Sequence, residues 1–184
     1  QIAKILTDVW GMGQPARLFV VEFGAVLAEL RRATETQLWQ IVLKRLMYRA
    51  GTALAQQTGA EAIVTGESVG QVSSQTLSNL RSIEPAAGLP ILRPLVGFDK
   101  QEIIDAAETI GTAPISRRVK EYCAIVTSRP ATSSRADRVD REEKNMDPAF
   151  LREAIGNARC IDLAKTGPAD LRIPYLFTGT VPEG

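Results

Sequence analysis

Apolar residues recur at helical spacing from the first position of the chain. Ile2, Ile5, Leu6, Val9 and Trp10 share one face of an opening segment that Gly11, Gly13 and Pro15 then break. Arg17-Leu-Phe-Val-Val-Glu-Phe23 reads as a buried strand. From Thr34 or Thr36 to about Thr58, the positions Leu38, Ile41, Val42, Leu46, Ala50 and Leu54 predict one long helix, which Gly59 ends. Ala62-Ile-Val-Thr65 predicts a short strand, Gln71 to Leu80 a helix, Pro90 to Leu95 another strand and Asp99 to Ile110 a helix. This alternation predicts an α/β fold with a doubly wound, mostly parallel sheet, in which ligands bind beyond the carboxyl ends of the strands.

After Cys123 the texture changes to a polar Ser/Thr/Pro connector, Thr127 to Arg135, and then a charged segment, Arg135 to Lys144. A boundary is expected there, dividing residues 1–127 from an extension over 128–184. Within the extension, Asp147-Pro148 offers an N-cap and an N1 proline for a helix to about Asn157, and Cys160 to Leu163 a short strand.

Composition changes the picture mainly by exclusion. The 184 residues carry 22 Lys+Arg against 21 Asp+Glu, a net charge of +1, so no overall field draws the molecule onto nucleic acid or an anionic membrane. RNA contact must come from a local patch. The absence of histidine removes imidazole acid/base catalysis, Ser-His-Asp and Cys-His triads and the usual zinc sites. Chemistry is left to Lys, Cys, carboxylates and backbone. The two cysteines form no CxxC pair, and a cytoplasmic setting is expected. No run of about 18 apolar residues and no signal-peptide pattern occurs, so no membrane association is expected. A start at Gln1, inside a helical pattern, reads as a piece of a longer polypeptide.

Three stretches could carry chemistry. Val64-Thr-Gly-Glu-Ser-Val-Gly-Gln-Val-Ser-Ser-Gln-Thr76 runs from a strand through glycines and small polar residues into a helix. Gly66 and Gly70 let the backbone approach a ligand, and Ser73, Ser74, Gln75 and Thr76 offer neutral hydrogen-bonding groups. The same texture also suits an ordinary capped turn. In Arg93-Pro-Leu-Val-Gly-Phe-Asp-Lys-Gln-Glu102, Asp99 and Glu102 have capping-box spacing, which puts Lys100 in the first helical turn. A cation beside the orphan N–H groups suits phosphate or a leaving pyrophosphate, although a solvated surface lysine fits as well. Lys44, beside Arg45, reads as the polar face of the long helix. Cys123 follows Arg117, Arg118 and Lys120, cations that favour a thiolate, whereas burial would leave it inert. Cys160 reads as structural.

Taken in order, Leu43-Lys-Arg-Leu-Met47, Thr65 to Arg81, Leu92-Arg-Pro-Leu95 with Asp99 to Ile104, Ile110-Gly-Thr112, Glu121-Tyr-Cys123 and, more weakly, Arg141-Glu-Glu-Lys144 resemble the tRNA 4-thiouridine synthetase family, also called tRNA uridine sulfurtransferases. The resemblance implies a PP-loop ATP pyrophosphatase fold of the adenine nucleotide alpha hydrolase type. It implies adenylation of a tRNA uridine by ATP with Mg2+, then sulfur transfer to give 4-thiouridine, with a sulfur-carrier link to thiamine (thiazole) biosynthesis. By the same resemblance Lys44, Gly66 and Gln75 fall at ATP-contacting positions, Lys100 at a lysine the reaction needs, and Cys123 at the cysteine that forms a disulfide with a rhodanese cysteine during turnover. The implied partners are tRNA, a cysteine desulfurase or other persulfide donor acting through a rhodanese domain, and a possible second copy of the chain.

The family's Ser-Gly-Gly-x-Asp-Ser phosphate loop has no match in the sequence, and the stretch after Tyr175 is too short for a rhodanese domain. The chain is therefore expected to hold an ATP pyrophosphatase domain truncated at its N-terminus and to be inactive alone. Two other readings stay open: a different PP-loop ATP pyrophosphatase, and a non-catalytic module for dimerisation or tRNA docking through the long helix and the Arg117 to Lys120 segment.

Overall fold

In the computed structural model the chain runs α1 (Ile2–Ile5), β1 (Arg17–Val20), α2 (Gly24–Ala33), α3 (Trp39–Thr58), β2 (Ile63–Val64), α4 (Leu77–Ile83), β3 (Ile91–Leu92), α5 (Lys100–Thr109), α6 (Ala113–Ser116), α7 (Ala136–Lys144), α8 (Ala149–Gly156) and β4 (Arg159–Asp162). Residues 1–14, 16–119 and 129–167 are described. The described residues of Val21–Asp105 and Glu121–Ala158 form one compact unit, and those of Gln1–Val20, Ala106–Lys120 and Arg159–Gly184 form another.

The first unit is organised by α3, whose 20 residues make a rod about 30 Å long. Leu38, Ile41, Val42 and Leu46, spaced by three and four residues, place one apolar stripe against Val26 and Leu30 of α2, Ile83 of α4 and Val139 of α7, all essentially enclosed. Each side chain so buried contributes about 1.5–3 kcal/mol. Gly59 ends α3 in the left-handed region, at φ 73°, where a side chain would be strained. Downstream of the expected 127/128 boundary, Val139, Met146 and Ala154 join this same core. The charged segment 135–144 is thus amphipathic: it turns Val139 into the core, with Asp140 and Glu143 at the edge of that face, and exposes Asp137, Arg141 and Lys144. Asp147 N–H donates to the buried Glu29 carboxylate at 2.8 Å, which ties the α7–α8 turn to α2.

Arg45, the neighbour of Lys44, does not lie on a polar face. It occupies the apolar stripe itself, one step before Leu46, and is only 2% exposed. Its guanidinium meets Glu143 and the Ser82 carbonyl at 2.6 Å each, and Asp140 as a third partner. Each of its three side-chain nitrogens thereby meets an acceptor from α4 or α7.

The α/β expectation takes the form, among the described residues, of one parallel pair in this unit, Ile63 beside Ile91 and Val64 beside Leu92. The expected buried strand at Arg17–Phe23 differs. It shortens to Arg17–Val20, lies in the other unit, and pairs antiparallel with β4, Arg17 opposite Asp162 and Val20 opposite Arg159. A two-stranded antiparallel ribbon tolerates a solvated side, in keeping with its exposed Arg17 and only half-buried Leu18 to Val20. Cys160, read as structural, is exposed on β4.

The helix expected over Gln71 to Leu80 divides in two. Ser73–Gln75 is a single 3-10 turn, Thr76 is extended, and α4 begins only at Leu77, with Thr76 Oγ1 accepting from Asn79 N–H at 3.2 Å. Small hydroxyl side chains offer the backbone local alternatives to a continuous helix. No helix among the described residues is long and apolar enough to cross a membrane.

Candidate functional site

Parallel pairing continues just past β2, where Thr65 N–H donates to the Leu92 carbonyl at 3.0 Å, so the chains following β2 and β3 leave their strands side by side. Two bonds hold these exits together. Val69 N–H reaches the Val96 carbonyl at 3.1 Å, and Ser68 Oγ the Phe98 carbonyl at 2.7 Å, only two residues before Lys100. Gly70, at φ 82°, turns the loop back so that its N–H meets the Gln75 carbonyl at 3.1 Å. The fully buried Asn79 clamps the far side through its amide, donating to the Ser73 carbonyl at 2.7 Å. The loop is therefore shaped by its own backbone together with the Ser68 and Asn79 side chains. Gly66 faces open space, since a Cβ there would meet nothing within 4 Å.

At the centre lies Glu67, 4% exposed. Its Oε1 accepts from Lys44 Nζ at 2.7 Å. Its Oε2 accepts from Tyr48 at 2.5 Å, Arg93 Nε at 2.9 Å and Thr65 Oγ1 at 3.3 Å. Arg93 also bonds Glu84 at 2.9 Å and the Tyr48 hydroxyl at 3.3 Å. Burial raises the Glu67 pKa, but the bonds from Lys44, Tyr48 and Arg93 outweigh it and bring the carboxyl from 4.5 down to about 2. Tyr48 is pushed up to about 12, first by burial and then by the Glu67 carboxylate, so it remains a proton donor to Glu67.

A depressed carboxyl stabilises the fold above its unfolded pKa and loses that contribution as pH falls through the folded value. Stability should therefore decline between about pH 5 and pH 2, partly through Glu67. Urea titrations across that window should show a flatter pH dependence for Glu67→Gln than for the parent.

Three of the residues singled out in the sequence meet around this loop. Lys44 projects from α3 onto Glu67, next to Gly66. Gln75 closes the loop, and its side-chain Oε1 is buried without a hydrogen-bond partner. Ser73 Oγ donates to Gln40 Oε1 at 2.8 Å, one turn of α3 before Lys44. Lys100 stands exposed at the start of α5, and the capping box around it is formed: Asp99 N–H donates to Glu102 at 2.7 Å, and Glu102 N–H to Asp99 at 2.9 Å. Cys123 lies outside the described residues. Sequence reasoning left Glu67 and Tyr48 unnoticed and Arg93 as a supporting residue. The signal for Glu67 was a lone carboxylate in an otherwise uncharged loop at a strand end.

The family described as Thiamine biosynthesis protein (ThiI) matches residues 1–147, which include the whole of this loop with Lys44, Arg93 and Lys100. The chain belongs to this family. Among relatives of the ThiI chain, the tRNA sulfurtransferase of Marinobacter nauticus is 43% identical over 157 residues, covering 85% of this chain and 32% of the relative. That of Pyrobaculum aerophilum is 38% identical over 180 residues, covering 94% and 37%. A crystal structure of a 4-thiouridine synthetase–RNA complex with bound ATP superimposes with a TM-score of 0.80 at 35% identity, over 86% of this chain and 42% of that one. The fold is thus the PP-loop ATP pyrophosphatase fold of the ThiI family. The chain spans about a third of the length of the curated relatives it matches.

Proposed function

We propose that this chain supplies the nucleotide-binding part of a tRNA sulfurtransferase that adenylates a tRNA uridine and replaces its oxygen with sulfur to give 4-thiouridine. The observation that carries the reading is the loop from Thr65 to Thr76, a pre-shaped cradle at the carboxyl end of a parallel strand pair with an orphaned acceptor, Gln75 Oε1, buried in it. A buried acceptor without a donor is costly, which favours an outward turn of the Gln75 amide, and the exocyclic amine of adenine is a donor it would then meet. Open backbone at Gly66 leaves room for close approach.

MgATP supplies the adenylyl group that activates the uridine carbonyl oxygen, with pyrophosphate as the group released. The chain's residues bind and orient. Lys44 keeps two N–H donors beyond the one given to Glu67, enough to meet a phosphate without leaving its partner. Lys100 adds full charge to the N–H groups opening α5, a combination that stabilises negative charge developing on a leaving pyrophosphate. On this reading Cys123 is the cysteine that forms a disulfide with the rhodanese cysteine during turnover. The persulfide itself comes from a donor such as a cysteine desulfurase through a rhodanese domain, in a cytoplasmic setting, with homodimerisation and the thiamine link as further parts of the proposal.

The matched relatives are about three times as long as this chain, and on the proposed reading regions beyond this stretch complete the site. With MgATP, tRNA and a persulfide donor, the 184-residue chain alone is expected to form no 4-thiouridine. Turnover by it would contradict the split site.

A further inference from the structure

Glu67 is enclosed, with a side chain only 5% exposed, so it offers no surface to a ligand. Anything it does for binding must pass through the groups it holds. Its two oxygens divide the work. Oε2 is occupied by Tyr48, Arg93 and Thr65, which fix the plane of the carboxylate. Oε1 is left to Lys44, whose side chain is 25% exposed and so reaches the edge of the loop. Lysine has a long flexible stem, and a phosphate-binding lysine that is ordered beforehand loses less freedom when the ligand arrives. Arg93, the second cation on Glu67, is itself turned away toward Glu84 and Tyr48.

From this division we infer that Glu67 is a positioning residue: it holds the Lys44 ammonium at the mouth of the Thr65–Thr76 loop, ready for the phosphates of MgATP, and does more there than stabilise the fold. The inference rests on the reading of that loop as the ATP site.

The test is a double-mutant cycle read by equilibrium titration with MgATP of a protein that joins this stretch to the regions completing the site, each variant being melted in parallel to confirm that it is folded. Lys44→Met is expected to weaken MgATP about tenfold, and Glu67→Gln by a similar factor. The double variant should match the weaker single within about twofold, because Glu67 acts through Lys44. Multiplicative losses, near a hundredfold, would overturn the inference, as they would place Glu67 on a path independent of Lys44. So would unchanged or tighter binding by Glu67→Gln where Lys44→Met weakens it. If Lys44→Met binds MgATP as the parent does, or the parent binds none, the ATP reading fails and takes the inference with it. Should Glu67→Gln not fold, Glu67→Asp, which keeps the charge but withdraws it by one methylene, carries the same cycle. A loss that vanishes in the Lys44→Met background supports the inference, and a loss that persists overturns it.

Discussion

In a protein that joins this stretch to the regions completing the site, Lys100→Ala is expected to cut tRNA thiolation by a factor on the order of 10²–10³, while MgATP affinity changes little. The split between catalysis and binding follows from where the residue stands. Lys100 is exposed at the first position of α5, and its neighbours Asp99 and Glu102 supply the capping bonds, so the helix start does not depend on it. Removing an exposed side chain of this kind should change stability by less than about 0.5 kcal/mol. What is lost is a full charge added to the helix N-terminus, which counts most when pyrophosphate charge develops. Rapid-quench measurement of pyrophosphate release against MgATP titration separates the two effects. Equal losses in affinity and rate would instead make Lys100 a ground-state ligand.

Arg45→Met should destabilise the unit formed by Val21–Asp105 and Glu121–Ala158 by about 3–5 kcal/mol. Arg45 is buried on the core-facing stripe of α3 and gathers Glu143, Asp140 and the Ser82 carbonyl. Taking away the guanidinium leaves the Glu143 side chain, 12% exposed, with only Arg49 as cation, and leaves a buried carbonyl without its donor. Burial raises the Glu143 pKa, but the two arginines together hold it below the ordinary range. The loss should therefore appear mostly above pH 5 and shrink as Glu143 takes up a proton. Urea denaturation of Arg45→Met at pH 7 and pH 4 checks both the size and the pH trend. A change below 1 kcal/mol at pH 7 would mean that the network is replaceable by hydrocarbon, as some buried ion clusters are.

The two sets of residues mark where the sequence was readable and where it was not. Helix α3 was legible because Leu38, Ile41, Val42 and Leu46 repeat a local period, and its end was legible because Gly59 is the residue a left-handed cap selects. Arg45 stands on the same period, three residues after Val42, so its position points inward although its charge does not. The loop at 65–76 was legible as ligand texture, and the capped Lys100 as a helix start. Glu67 was not, because its partners Lys44, Tyr48 and Arg93 lie 23, 19 and 26 residues away, on a helix and beyond a second strand. No local spacing encodes such a meeting. The same holds for β1, whose register is set by β4, well over a hundred residues downstream. Only the ordered resemblance to one family assigned roles to the individual residues.

Photolabelling with 8-azido-ATP and Mg2+, followed by peptide mapping, locates the bound nucleotide on the chain. Label is expected within Thr65 to Arg81, competed by excess ATP and reduced by Lys44→Met. Label spread over the surface, or concentrated in a peptide remote from this loop and indifferent to Lys44, would contradict this placement of the nucleotide.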